Sequence, residues 1–157
     1  MKKILATFSS VAIFMGLAPC AAAQGQYLSV APPQKVIVKR GAVAEAKLTV
    51  ELQPGFHVNS DKPADEYLIP LRLRWEPGGL AATETVFPKA EARSYSFSQK
   101  PVSVFTEKFP IVTRFKAADG ATVGPGFLTG KLRYQACTED RCFPPKTIEV
   151  KLPYSIQ

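Results

Sequence analysis

Two cysteines carry the chemistry open to this sequence. Cys137 and Cys142 stand in the run Tyr134-Gln135-Ala136-Cys137-Thr138-Glu139-Asp140-Arg141-Cys142-Phe143-Pro144-Pro145, with four residues between them and strand-like sequence on either side. Such a pair serves as a local staple, as a redox couple or as part of a soft-metal site. Four intervening residues suit a hairpin loop, and facing hairpin positions meet the Cα separation of about 4.4–6.8 Å that a disulfide spans. The loop closed is small, so the chain-entropy contribution of the bond is only roughly 2 kcal/mol. A structural zinc site needs four ligands, and two cysteines with the single histidine, His57, fall short of that. Copper held by Cys137, Cys142 and His57 is the third possibility. Arg141 favours a thiolate, whereas Glu139 and Asp140 oppose one.

The strand leading into the pair offers a test of access. Leu128, Leu132, Tyr134 and Ala136 share one parity, and Thr129, Lys131, Arg133 and Gln135 share the other. Continued alternation puts Cys137 on the polar side, where its sulfur is expected to be accessible. Pro144-Pro145 stiffens the chain just beyond Cys142 and fixes how that sulfur is presented.

The remaining cysteine, Cys20, lies in a segment that reads as an export leader. Lys2 and Lys3 precede an apolar run from Ile4 to Leu17, and Ala21-Ala22-Ala23 provides the small residues a signal peptidase requires. The run is short of the roughly 20 apolar residues that a membrane span needs. Cleavage after Ala23 is therefore expected, in preference to an uncleaved anchor or to lipidation of Cys20, where Pro19 directly before the cysteine is unfavourable. Export sets the domain in an oxidising compartment where a disulfide persists. Loss of Lys2 and Lys3 lowers the formal charge from +7 to +5. Basic residues are dispersed along the sequence among acidic ones, which argues against a nucleic-acid partner and leaves weak attraction to acidic partners or anionic lipid. No later stretch is apolar and long enough to span a membrane.

The elements that must position the cysteines read as β-strands. Residues 24–34 contain Pro32-Pro33 and little periodicity, and are expected to form an amino-terminal arm to one domain over residues 35–157. In that domain Ala44, Ala46, Leu48, Val50 and Leu52 alternate with polar residues, as do Ile69, Leu71, Leu73 and Trp75, and again Ile148, Val150 and Leu152. Shorter candidates cover residues 35–39, 56–59, 80–87, 102–105, 109–116 and 126–136. Pro54-Gly55, Glu76-Pro77-Gly78-Gly79, Asp119-Gly120 and Gly124-Pro125-Gly126 mark turns. Fourteen prolines and no helical stripe leave an all-β sandwich. Ser94 to Gln99 reads as a loop carrying the aromatics Tyr95 and Phe97, and Trp75 as a core residue.

At these residues the chain resembles the amino-terminal periplasmic domain of the DsbD thiol:disulfide interchange proteins. The resemblance is carried by Gly55-Phe56-His57-Val58-Asn59-Ser60, Leu68-Ile69-Pro70, Phe87-Pro88, Val102-Ser103-Val104-Phe105 and the run from Leu132 through the cysteines to Pro145. It implies an immunoglobulin-like antiparallel β-sandwich with the cysteines on a hairpin. It also implies exchange of reducing equivalents with thioredoxin-like periplasmic proteins, without an organic cofactor or a metal. By position Cys142 resembles the cysteine that bonds to the partner and Cys137 the one that resolves the mixed disulfide. Tyr95 and Phe97 match the capping loop, and His57 and Asn59 fall beside the pair. Four residues separate the cysteines here, where well-known members have five. These 157 residues include neither a membrane electron channel nor a thioredoxin-like domain, so a separate membrane electron donor is implied. The reading from another class is a binding or scaffold domain with an inert disulfide.

Overall fold

The computed structural model describes residues 26–157; the expected leader, the cleavage point after Ala23 and Cys20 lie outside them. The described chain is all β, with twelve strands and no helix. In chain order they are β1 (Leu28–Val30), β2 (Val36–Val38), β3 (Val43–Leu52), β4 (His57–Asn59), β5 (Arg72–Trp75) and β6 (Leu80–Val86). They continue with β7 (Glu91–Arg93), β8 (Val102–Thr106), β9 (Lys108–Ala117), β10 (Gly124–Tyr134), β11 (Ala136–Cys137) and β12 (Lys146–Ile156).

Two four-stranded sheets, β1-β3-β9-β6 and β2-β12-β10-β5, face one another, and a third, β11-β4-β8-β7, continues from them and carries the cysteines. Pairing is antiparallel throughout except for β2, which lies parallel to β12. Alternation explains the core. Leu48, Val50, Phe109 and Ile111 of the first sheet meet Leu132, Tyr134 and Val150 of the second in one buried cluster. A second cluster fills the other end of the sandwich with Leu80, Phe115, Leu128, Leu152 and Ile156. Trp75 packs edge-on against Phe115 and donates its indole N–H to Thr113 Oγ1 at 3.1 Å, consistent with its reading as a core residue.

Two segments differ from the sequence expectation. The arm contains β1, which pairs with β3 and buries Leu28; three residues are too few to display a period. The expected strand from Ile69 begins only at Arg72. Pro70 interrupts it, and the main chain of Ile69 bonds instead to side chains around Gln135.

Candidate functional site

The tip that carries the cysteines is a two-strand ribbon closed by a tight turn. Thr138 N–H donates to Arg141 O at 2.8 Å, and Phe143 N–H donates to Ala136 O at 2.9 Å. These bonds straddle Cys137 and Cys142, which makes them the non-hydrogen-bonded facing pair, the closer of the two antiparallel spacings. Their Cα atoms are 4.0 Å apart and the sulfurs form a disulfide.

The two sulfurs differ in access. Cys137 is completely buried, whereas Cys142 is partly exposed. Burial of Cys137 corrects the expectation that its parity leaves it open to solvent. The alternation itself holds: Ala136, opposite Val58, faces the main core, and Cys137, opposite His57, faces the other way. That second face is covered rather than wet, because the 94–99 loop folds over it.

The turn at Pro54-Gly55 delivers β4 to this position. Phe56 N–H donates to Gln53 O, and Gly55 sits at φ 82°, the left-handed conformation that the third residue of a type II turn requires. All three residues of β4 are buried, since β11 and β8 flank it and both of its faces are covered. His57 is therefore an interior residue. Its ring stacks on Tyr95 with centroids 4.0 Å apart, and Tyr95 stacks on Phe97 at 5.3 Å. Tyr95 and Phe97 also pack against Leu68, Val102 and Val104. Ser96 Oγ, between the two aromatics, donates to the carbonyl of Glu139 at 3.1 Å, which ties the loop to the cysteine turn.

Electrostatics keep this histidine neutral. Burial, aided by the positive charge of Arg93, lowers the His57 pKa from 6.5 to about 4. Its Nε2 has no hydrogen-bond partner among the described residues. Burial likewise raises the Tyr95 phenol above its ordinary value.

Asn59 supports the ribbon from the far end of β4. Its Nδ2 donates to Ile69 O and to Gln135 Oε1, each at 3.1 Å, and Ile69 N–H donates to the same Gln135 oxygen at 3.2 Å. Gln135 stands at the break between β10 and β11, so this network fixes where the ribbon leaves the sheet. The structure thus brings Cys137, Cys142, His57, Tyr95 and Phe97 together, and places Asn59 behind them.

Several contributors carried no sequence signal of their own. Gln135 reads as one more polar position in an alternating strand. β7, which brings Arg93 near His57, is short and fully exposed. On the Cys142 side, Phe143 meets Tyr27 at 4.8 Å and Phe56 at 5.9 Å, with the Arg141 guanidinium over Phe143. Adjacency of Phe56 to His57 and of Phe143 to Cys142 was the available hint. A cleft of about 460 Å³ opens beside the loop, lined by Phe56, His57, Arg93, Tyr95, Lys108 and Glu139 among others. For the copper alternative, both sulfurs are engaged in the disulfide, and among the described residues no cluster of three or more His, Cys, Asp or Glu side chains could hold a metal ion.

A known structure shares this architecture. The amino-terminal periplasmic domain of ScsB from Proteus mirabilis superimposes with a TM-score of 0.57 at 14% identity, over 83% of this chain and 48% of that one. The chain thus spans about half the length of that relative. The amino-terminal domain of Neisseria meningitidis DsbD, in its reduced form, matches with a TM-score of 0.49 at 19% identity, over 75% of this chain and 86% of that one. No curated protein sequence matches significantly. The model of the thiol:disulfide interchange protein DsbD amino-terminal family matches residues 24–153, which takes in the cysteine ribbon and all of the sandwich but the end of β12, and the chain belongs to that family.

Proposed function

We propose that this chain is a thiol–disulfide exchange module of the periplasm, acting through Cys137 and Cys142. The observation that carries the reading is the unequal burial of the two sulfurs at a ribbon tip: Cys142 partly exposed, Cys137 enclosed. An inert staple has no need of that asymmetry, whereas an exchanging pair needs one sulfur that a partner reaches first. In the reduced domain the Cys142 thiolate attacks one sulfur of a partner disulfide. A mixed disulfide forms and the partner's other sulfur leaves as a thiolate. Cys137 then gives up its proton and attacks Cys142 Sγ. The internal disulfide closes, the second partner thiolate is released, and two electrons have passed to the partner. A separate membrane electron donor restores the dithiol.

The loop of Tyr95 and Phe97 acts as the cap, closed over Cys137 and held by one Ser96 hydrogen bond and by the His57 stack. Docking of a thioredoxin-like partner would displace it, in the manner of other lids that gate a site. The cleft beside the cap offers room for that partner's approaching chain. Domains of this family are periplasmic. Consistent with that, residues 1–23 serve as a leader removed after Ala23, with lipidation at Cys20 the less favoured course. No helix among the described residues is long and apolar enough to cross a membrane. The exported unit is then residues 24–157, with β1 of the expected arm built into the sandwich.

Trapping tests the reading. A Cys137→Ala variant, reduced and mixed with oxidised exported proteins, should accumulate a mixed disulfide through Cys142 that dithiothreitol releases. A folded variant that captures nothing would overturn it and leave the scaffold alternative.

A further inference from the structure

Two pairs of basic residues that are far apart along the chain are brought by the fold onto one sheet face. Arg72 and Arg74 point outward from β5, and Lys131 and Arg133 from the adjoining β10. Antiparallel register sets Arg72 directly opposite Arg133, and Arg74 directly opposite Lys131. Like charges facing one another across a sheet oppose folding, so the fold gains nothing from this square of four cations. Neutralisation within the chain falls on Lys131, which faces the exposed Glu149 across the β10–β12 pair. Lys131 also pairs with Glu76 at 2.6 Å, while Arg72, Arg74 and Arg133 have no carboxylate partner among the described residues. Arg72 donates to a neutral acceptor, the carbonyl of Asp61.

The same face has an apolar end. Phe127 shares the outward parity of Lys131 and Arg133 and is 72% exposed, with Ile37 of β2 60% exposed on the same surface. Four residues of extended strand separate Phe127 from Lys131, a distance of about 13 Å. A flat sheet face thus presents cations at one end and large exposed apolar side chains at the other. Soluble anions account for the cations alone. A membrane surface accounts for both, because phosphate head groups attract the cations and the interface accepts phenyl and sec-butyl groups.

We infer that the outer face of the β2-β12-β10-β5 sheet docks reversibly on an anionic phospholipid surface. The contact is peripheral and electrostatic, and it weakens as salt screens the charges. This role is independent of the cysteine chemistry.

Sedimentation of the protein, purified from the exported fraction, with vesicles is the direct test. Vesicles of mixed phosphatidylglycerol and phosphatidylcholine should bind it, vesicles of phosphatidylcholine alone should not, and added salt should release it. The double variant Arg72→Gln/Arg133→Gln should lower partitioning about tenfold or more. Phe127→Ser should lower it several-fold while keeping the salt dependence. A control, Lys47→Gln/Lys116→Gln, removes the same charge from the opposite sheet and should bind as the parent does. Equal binding to both kinds of vesicle, or equal loss in the control, would overturn the proposal. Retention on heparin without vesicle binding would also overturn it, in favour of a soluble polyanion.

Discussion

His57 and Tyr95 lie ring on ring, 4.0 Å between centroids and 14° from parallel, directly across the strand pair from buried Cys137. Cap and disulfide are thereby joined through one side chain. A buried stack of this kind contributes about 0.5–1.5 kcal/mol, and the Ser96–Glu139 hydrogen bond a further amount of about 1 kcal/mol. Loss of either should populate the open cap more often. His57→Ala and Ser96→Ala are each expected to speed reduction of the disulfide by dithiothreitol roughly threefold to tenfold. His57→Phe keeps a stacking ring and should stay near the parent rate. Stopped-flow reduction kinetics measure this directly, and equal rates in all four proteins would show that the loop does not gate the sulfurs.

The same histidine makes stability depend on pH. Its pKa falls from 6.5 in the unfolded chain to about 4 in the folded one. Between those values the unfolded state binds a proton that the folded state refuses, so stability declines as pH drops through this window. Its contribution is complete above the unfolded value, and the loss ceases below about 4. A shift of this size corresponds to roughly 3 kcal/mol at most. Urea midpoints collected from pH 7 to pH 4 should fall more steeply for the parent than for His57→Phe. Parallel curves would mean that the ring is as readily protonated in the folded protein.

Asn59 is expected to matter for folding more than for exchange. Its amide donates two hydrogen bonds, to Ile69 O and Gln135 Oε1, in a fully buried position. Asn59→Ala takes the Asn59 donor from Ile69 O and leaves Gln135 Oε1 with the Ile69 N–H alone, and should cost roughly 1–3 kcal/mol in denaturant unfolding. Gln135→Ala removes the shared acceptor from Asn59 and Ile69 and should cost a similar amount. The double variant should cost less than the sum, because the two residues serve one network. Strict additivity would separate them.

Most of the sandwich was legible because its strands are long and half buried. In β3 the alternation of Ala46, Leu48, Val50 and Leu52 states which face is inside, and the structure buries those residues. Short strands gave no such signal: β1 and β7 have three residues each. The site was legible in part for a related reason. Parity correctly assigned Cys137 to the face away from the main core, yet parity says nothing about what lies over a face. The cover comes from Tyr95 and Phe97, 42 and 40 positions earlier in the chain, and only tertiary structure brings it there. For His57 the same gap decided the environment: a polar residue in a short strand became an interior one because β4 has neighbours on both edges and a loop above it.

The disulfide itself should be dispensable for the fold. It closes a ribbon of six residues, Cys137 to Cys142, and a loop that short restricts the unfolded chain by only about 2 kcal/mol. The surrounding ribbon is held independently by the Phe143–Ala136 and Thr138–Arg141 hydrogen bonds and by pairing of β11 with β4. Reduction is therefore expected to lower the melting temperature by about 4–8 °C, given roughly 2–4 °C per kcal/mol for a domain of this size. The dithiol form should keep its β-sheet circular dichroism. A module that shuttles between oxidation states must survive in both. Collapse of the sheet signal on adding dithiothreitol would assign the bond to structural stapling and remove the basis for exchange.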